Sequence, residues 1–551
     1  MKIVNYLVLL AVVLFSIISL SECNTFKAYR MLQVEKDGKL YGPQRYALSS
    51  PTIYYHENQL TSDDYTKKSV IIKEDQITDQ IIKKIVEKQA DAIIVLTLNG
   101  KETRDYKLQS FYESTQSSDL QIPVYFIEES QFSIDGGSDQ DYRLVVANSG
   151  SANLISSPIG INYQGILRGH SENTNKFISQ QIVIMASYDS FGLVPSQSTG
   201  RQQSSSSGAI ALMELSRIFQ KLYQNTQTVG EYNLIFVLTD ASQVNYQGAK
   251  RWADSQSDVS LKSIDFVLYL DSLGSVSDQL YLQISRKPKE GQIIAIYDEF
   301  QEAAKSFSTD IEIVHKKINV SNAQVFWGHE QSARKLLHSM TLTSKKSPES
   351  IENSPIDFHK LKRNIKIVAT VLLNHIYNQD VQKKNQIKIE NLSDLLIDSL
   401  DVNEGFLESW YQLFSKCITM SPYSTVQDPS SPKSSIPSAN NQQKQQQHKQ
   451  QSSSTTSTNI LHQSFETQFK QYLQETVVDQ YPLSSSESGS NIKYYLPIES
   501  QMSFYRVKSF LFDLMHLLAT VVYLVSLYAL FEFSSFKNSI YSLFNSTKKG
   551  I

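Results

Sequence analysis

The sequence predicts an α/β domain built on a mainly parallel sheet, and two observations support this fold class. From residue 25 to about residue 380, short apolar runs alternate with segments whose apolar residues recur at helical spacing. The spacing is clearest in residues 208–223, where Ile210, Met213 and Phe219 fall on one face of a helix. Such alternation is typical of parallel sheets, because parallel strands need a crossover connection between them.

Eight apolar runs have the length of a buried strand. They are residues 92–98, 124–127, 143–147, 181–187, 232–239, 265–271, 280–284 and 340–343. Helices are expected at 208–223, around 293–304 and at 355–378. Before the sheet, Asp37 and Gly38 stand between alternating residues and predict a β-hairpin.

The two ends of the chain carry membrane-targeting patterns. Lys2, an apolar run at 6–20 and small residues before Asn24 are typical of a secretory signal peptide, with cleavage expected after Cys23. Residues 510–533 form a long apolar run that predicts one transmembrane helix. Together they predict a type I membrane protein with a lumenal body and a cytosolic tail from residue 534. The alternatives are an uncleaved N-terminal anchor and a buried soluble helix at 510–533.

Four polar residues near the C-terminus suggest contacts and location. Asp513 and His516 share one face of the predicted span, so we expect them to meet a protein partner in the membrane. Lys548 and Lys549 stand fourth and third from the end, positions typical of a retrieval signal. The expected location is therefore the endoplasmic reticulum membrane.

Between the α/β domain (24–380) and the span, residues 381–505 are predicted to be a helical lumenal extension. Helices are expected at 392–417 and 464–477. Residues 422–459 are rich in Ser and Gln, with almost no apolar side chain, so they are predicted to be a disordered insertion. Two lumenal sequons, at Asn319 and Asn391, are possible N-glycosylation sites.

Composition excludes several classes of function. With 52 Lys and Arg against 55 Asp and Glu, the net charge is -3, so a dedicated nucleic-acid binder is not expected. Two cysteines exclude a multi-cysteine zinc site, which leaves oxygen and nitrogen as metal ligands. His329 and Glu330 begin like a zincin motif, but Ala333 stands where the second histidine belongs. We interpret this stretch as polar surface residues.

The stretch 181–223, QIVIMASYDSFGLVPSQSTGRQQSSSSGAIALMELSRIFQKLY, resembles the central block of the M28 zinc aminopeptidases. The resemblance continues through 232–255 and 266–275. It implies an M28 peptidase-like fold, and in active members two zinc ions and a glutamate base. The matching positions here are Ser187, Asp189, Ser204, Ser242, Gln243 and Asp271. Because most are hydroxyls or an amide, the resemblance implies a degenerate metal site, no catalytic residue and no cofactor.

The phrases FKAYRMLQ (26–33), YDSFGLVPS (188–196), NYQGAKRW (245–252) and FVLYLDSLG (266–274) are similar to those of the nicalin family. That resemblance implies a non-catalytic subunit of an endoplasmic reticulum complex. Its implied partners are a Nodal modulator-like lumenal protein, a small multi-pass protein and the translocon, where the complex assists insertion of multi-pass membrane proteins. Two alternatives stay open: a nicastrin-like subunit that gates substrates of an intramembrane protease, and a zinc aminopeptidase.

Overall fold

The computed structural model describes residues 23–36, 38–43, 48–55, 65–97, 122–132, 142–147, 150–170, 180–189, 206–287, 291–321, 324–348, 356–381, 401–417, 419–425, 455–483, 492–507 and 510–547. Strands in this part of the chain are β1 Cys23–Arg30, β2 Val34–Lys36, β3 Lys39–Tyr41, β4 Leu48–Tyr54, β5 Ser69–Lys73, β6 Ala92–Thr97, β7 Val124–Glu128, β8 Tyr142–Ala147, β9 Ile159–Leu167, β10 Gln181–Ser187, β11 Asn233–Thr239, β12 Ile264–Leu270, β13 Leu280–Ile284, β14 Ile311–His315, β15 Ser339–Thr343, β16 Gln474–Pro482, β17 Ile492–Tyr494 and β18 Glu499–Arg506. Helices are α1 Asp79–Glu87, α2 Ser207–Gln224, α3 Gln247–Ser255, α4 Asp258–Ser263, α5 Gly291–Ser306, α6 His329–Arg334, α7 Phe358–Val381, α8 Glu404–Lys416, α9 Thr455–Tyr472 and α10 Phe510–Thr547.

The larger sheet has eight strands in the order β14-β13-β15-β12-β10-β11-β9-β16. The pairs β14–β13, β15–β12, β12–β10 and β10–β11 are parallel, and the other three pairs are antiparallel. The sheet is therefore mixed, with its parallel core in the centre. All eight predicted strands are present in the protein, with ends shifted by at most one residue; five lie in this sheet, and β6, β7 and β8 lie in a second one.

A second sheet, which the sequence did not predict as a separate unit, has seven strands in the order β1-β18-β8-β4-β5-β6-β7 and closes where β7 pairs with β1. Its interior holds a separate apolar cluster that includes Phe26, Tyr125 and Phe504. The predicted hairpin at Asp37-Gly38 is confirmed as β2–β3, and β17 extends this pair to a small third sheet. Gly38 has φ +83°, which glycine adopts without strain.

The main core lies between the larger sheet and helices α2, α5, α7, α8 and α9. A smaller cluster on the opposite face packs α3 against β10, β11 and β12. Within the main core, Arg217 donates two hydrogen bonds to the fully buried Glu214, and Glu214 also accepts from the backbone of Asn403. This buried pair fixes the start of α8 on α2, so the segment after residue 401 is an integral part of the fold.

The prediction of a helical extension at 381–505 is wrong for its last third. Strands β16, β17 and β18 each join a different sheet, pairing with β9, β2 and both β1 and β8. The expected helix at 464–477 ends at Tyr472, and residues 474–477 belong to β16. The cause is tertiary: a mostly exposed edge strand such as β16 has no apolar periodicity that the sequence could reveal.

The predicted disordered insertion is wrong at both ends. Pro422, Tyr423 and Ser424 form a buried turn, and α9 already begins at Thr455; residues 426–454 lie outside the described residues. The predicted signal peptide up to residue 22 also lies outside them. The predicted span falls within α10. Across the described helices, none combines the length and apolarity needed to cross a membrane.

Candidate functional site

A small cavity of about 70 Å³ opens at the carboxyl ends of β10, β11 and β12. Because these strands are parallel neighbours, the residues that follow them converge at one edge of the sheet. The cavity brings together five of the six positions that matched the M28 metal site. It is lined by Ser187, Asp189, Ser242, Gln243, Tyr246, Tyr269, Leu270, Asp271, Phe326, Trp327, Lys345 and Pro348.

Asp189 is buried beside the end of β10. Its Oδ2 accepts hydrogen bonds from Ser242 Oγ at 2.9 Å and from the backbone N–H of Gln243 at 3.3 Å. Its Oδ1 is buried and, among the described residues, has no hydrogen-bond partner. Burial raises the pKa of Asp189 to about 6, against the lowering effect of these hydrogen bonds.

Asp240, at the end of β11, is a second buried carboxylate close to the first. Its two oxygens accept from the backbone N–H groups of Ala241 at 2.7 Å and Ile161 at 3.2 Å. Burial, and then the negative charge of Asp189, raise the pKa of Asp240 to about 7. The edge of the sheet therefore holds two carboxylates whose negative charges disfavour each other.

Asp271 lies across the cavity, after β12. Its carboxylate accepts from Thr343 Oγ1 at 3.2 Å and lies 3.9 Å from the ammonium of Lys345. The two side chains are less than a fifth exposed, so this is a partly buried ion pair. Lys345 thus places a positive charge inside the cavity, next to the one carboxylate that faces Asp189 across it.

Backbone strain surrounds the cavity. Ala241, Asn245, Tyr246 and Ser272 are non-glycine residues with φ between 47° and 57°. Each conformation costs roughly 1–3 kcal/mol and persists only when neighbouring contacts impose it. Here Asn245 is held by its side-chain oxygen, which accepts from the Val325 N–H at 2.7 Å.

The interpretation of His329 and Glu330 as surface residues is wrong. His329 is 1% exposed, its Nε2 lies 2.8 Å from Ser285 Oγ, and its Nδ1 lies 2.7 Å from Thr341 Oγ1. Burial lowers the pKa of His329 to about 3, so the imidazole is neutral. The residue joins α6 to the larger sheet, because two hydroxyls from neighbouring strands satisfy both ring nitrogens.

The remaining predicted sites are distributed along the chain. Asn319 lies in an exposed turn, where its Oδ1 accepts from the Ser321 N–H at 3.0 Å. His516 lies on α10, and Asp513 is a backbone position of the same helix whose side chain is not described. Ser204, Asn391, Lys548 and Lys549 lie outside the described residues. The described residues contain no group of three or more His, Cys, Asp or Glu side chains that could hold a metal ion.

Sequence reasoning missed Asp240, Tyr246, Trp327 and Lys345 as neighbours of the site. Two of them could have been predicted from the sequence. Tyr246 lies within the nicalin-like phrase at 245–252, and Asp240 directly follows the predicted strand 232–239. Trp327 and Lys345 could not have been predicted, because they line the cavity from segments that are distant in sequence from its other residues.

Comparison with known proteins gives three findings. The model of peptidase family M28 matches residues 166–324. The chain is 28% identical over 407 residues to BOS complex subunit ncln of Danio rerio, covering 64% of this chain and 70% of that protein. It is 24% identical over 402 residues to nicalin of Caenorhabditis elegans, covering 64% and 69%. The expected resemblance to the nicalins is thereby confirmed.

A solved structure shares the fold. The crystal structure of the gamma-secretase component nicastrin matches with a TM-score of 0.55 and 12% identity, covering 87% of this chain and 99% of that one. Because the sequence identity is so low, this match shows a similarity of fold and nothing about function. It supports an M28 peptidase-like, nicastrin-like architecture of mixed sheets and helices.

Proposed function

We propose that this chain is a non-catalytic, membrane-anchored subunit of a protein complex in the endoplasmic reticulum membrane. The name of its relatives, BOS complex subunit, supports membership of a complex. The main observation in favour of a non-catalytic role is the ion pair between Lys345 and Asp271. It lies at the sheet edge where the resemblance to the M28 aminopeptidases implies metal ligands.

The side chains around the cavity do not fit a pair of zinc ions. Zinc sites in such enzymes use imidazoles and carboxylates, and hydrolysis needs a carboxylate base for the water. The cavity is instead lined by hydroxyls, an amide, two carboxylates and the ammonium of Lys345. In the resemblance to the M28 aminopeptidases, Ser242 and Gln243 match the positions of two adjacent glutamates, one of which is the catalytic base of active members. We infer that the M28-like body serves as a framework for partner contacts and carries out no hydrolysis.

The membrane anchor in this proposal is the apolar run at 510–533. It is supported by the sequence and by the described large apolar side chains of α10, which are widely exposed: Leu511, Met515 and Leu518 are each more than 60% exposed. Exposed apolar surface on this scale marks a partner or a membrane. Lys548 and Lys549 are proposed to return the protein to the endoplasmic reticulum.

The finer role follows from the resemblance to the nicalins. We propose a Nodal modulator-like lumenal protein, a small multi-pass protein and the translocon as partners, with assistance in inserting multi-pass membrane proteins as the shared task. Asp513 and His516 are proposed to contact one of the membrane partners.

Zinc analysis and a peptidase assay on the purified full-length chain test the non-catalytic part. We expect neither stoichiometric zinc nor cleavage of aminoacyl substrates. Bound zinc together with turnover that Asp271→Ala abolishes would overturn the proposal.

Affinity purification of the tagged chain in mild detergent tests the complex. Translocon components and a large lumenal partner are expected among the recovered proteins. Recovery of a presenilin-type protease without translocon components would instead support the nicastrin-like alternative, whose fold this chain shares.

A further inference from the structure

The last strand of the closed sheet leads almost directly into α10. Strand β18 ends at Arg506, and α10 begins at Phe510. Four residue steps of extended chain span at most about 14 Å. The end of the sheet that carries Arg506 therefore lies close to the point where α10 begins.

The strand register identifies what else lies at this end. Tyr505 is opposite Cys23 on β1 and Arg143 on β8, and Arg506 is opposite Tyr142. Cys23 is expected to leave with the signal peptide, so Tyr142, Arg143, Tyr505 and Arg506 form the anchor-side rim of the closed sheet. Neighbouring strands in a sheet lie about 5 Å apart, so the rim is one compact surface.

The rim has the side chains that favour a lipid–water interface. Arg143 is exposed, Tyr505 is 39% exposed, and Val507, just beyond the rim, is 47% exposed. Tyrosines are enriched where the headgroups meet the hydrocarbon, and arginines bind phosphates while their stems stay in apolar surroundings. Two nearby carboxylates, Glu128 at the end of β7 and Glu129 directly after it, are engaged within the protein: Glu129 pairs with Lys73 at 2.8 Å, and Glu128 accepts from Gln131.

We propose that the anchor-side rim rests on the phospholipid headgroup layer, with Arg143 facing lipid phosphates and Tyr142 and Tyr505 at the interface. The inference rests on the proposed membrane anchor, since α10 must enter the bilayer for the rim to reach it. The headgroup region is roughly 5–7 Å deep on each side of the hydrocarbon. A rim within about 14 Å of the first anchor residue lies in or directly above that region.

Site-directed fluorescence quenching on the full-length chain in phosphatidylcholine–phosphatidylserine vesicles tests this orientation. Cys23 is replaced by Ser, so that no thiol stands at this position with or without cleavage of the signal peptide, and Cys417 is buried. A single introduced cysteine therefore carries the fluorophore. The reporters are Tyr505→Cys and, should that variant fail to fold, Val507→Cys. Leu524→Cys reports on the anchor, and Glu87→Cys, exposed at the end of α1 beside the opposite rim, is the matched control.

Lipids carrying a nitroxide on the headgroup are expected to quench the Tyr505 reporter several-fold more than the Glu87 control, while acyl-chain nitroxides quench the Leu524 reporter. Equal quenching at Tyr505 and Glu87, with Leu524 still quenched, would refute the rim contact and leave the anchor intact. Loss of quenching at Leu524 would refute the anchor itself. In native microsomes, a Tyr505 reporter shielded from both lipid and aqueous quenchers would show that a protein covers the rim, which would also overturn the proposal.

Discussion

Ser242 Oγ donates a hydrogen bond of 2.9 Å to Asp189 Oδ2, across the gap between the ends of β10 and β11. Both residues occupy positions that matched metal ligands or the catalytic base in the M28 resemblance. The hydroxyl now supports the buried carboxylate as part of the fold. The change in the free energy of unfolding caused by a substitution at either residue therefore measures how much this contact stabilises the protein.

We expect Ser242→Ala to destabilise the protein by about 1–2 kcal/mol, because a buried carboxylate loses a donor that favours its charged form. The same change should raise the pKa of Asp189 further. Gln243→Ala is the matched control, since Gln243 donates through its backbone N–H, and its effect should stay below about 0.5 kcal/mol. Urea unfolding followed by the fluorescence of the three tryptophans measures both.

Stability should fall as the pH rises from about 4 to about 7. In this window the unfolded chain has released the protons of Asp189 and Asp240, whereas the folded chain still holds them because burial raises both pKa values, to about 6 and about 7. Asp189→Asn should remove about half of this slope, a difference of about 1–3 kcal/mol across the window. Unfolding free energies at a series of pH values give the slope.

Asp278→Asn is the control for this slope. A hydrogen bond from Lys360 lowers the pKa of Asp278, so its carboxylate titrates below the window. Its replacement should leave the slope above about pH 5 unchanged. A slope that Asp189→Asn does not alter would contradict the burial argument.

Gly208→Ala should destabilise the protein by at least about 2 kcal/mol. A Cβ at Gly208 would overlap the carbonyl oxygen of Leu270, and neither backbone can move without separating α2 from β12. Gly291→Ala is the matched control at the start of another helix, where a Cβ meets no atom within 4 Å. It should be neutral or stabilising by up to about 1 kcal/mol. Thermal unfolding of the two variants under identical conditions makes the comparison.

Asn319→Gln should remove one glycan from the protein expressed in a secretory pathway. Asn319 lies in an exposed turn, so its side chain is accessible to the glycosylation machinery. A third sequon, Asn545-Ser546-Thr547, follows the proposed anchor and would lie on the cytosolic side, so Asn545→Gln should change nothing. Electrophoretic mobility before and after glycosidase treatment distinguishes these outcomes. A mobility shift caused only by Asn545→Gln would invert the proposed topology.

Prediction from sequence worked where local pattern and burial coincide. Strands β10 and β13 were predicted with their observed ends, because a fully buried strand is a continuous apolar run. It failed for β9 and β16. Strand β16 lies at an edge with only Tyr481 clearly buried, so its conformation is set by pairing with β9 and leaves little trace in the residue pattern.

The residues of the candidate site also fall into those that the sequence identified and those that only the structure revealed. Ser187, Asp189, Ser242, Gln243 and Asp271 were identified by order and spacing along the chain, and the parallel centre of the sheet brings them together. Lys345 was not predicted as part of the site. Its contact with Asp271 depends on the alignment of β15 with β12, which no local pattern encodes.

The sequence alone determined the α/β class, the positions of the central strands and the resemblance to the M28 and nicalin families. These are properties of local periodicity and residue identity. Only the tertiary structure decided that residues 474–506 complete all three sheets, that His329 is buried, and that the ammonium of Lys345 lies 3.9 Å from the Asp271 carboxylate. The reason is physical: such contacts join residues up to hundreds of positions apart, and their free energy exists only once the chain has closed around them.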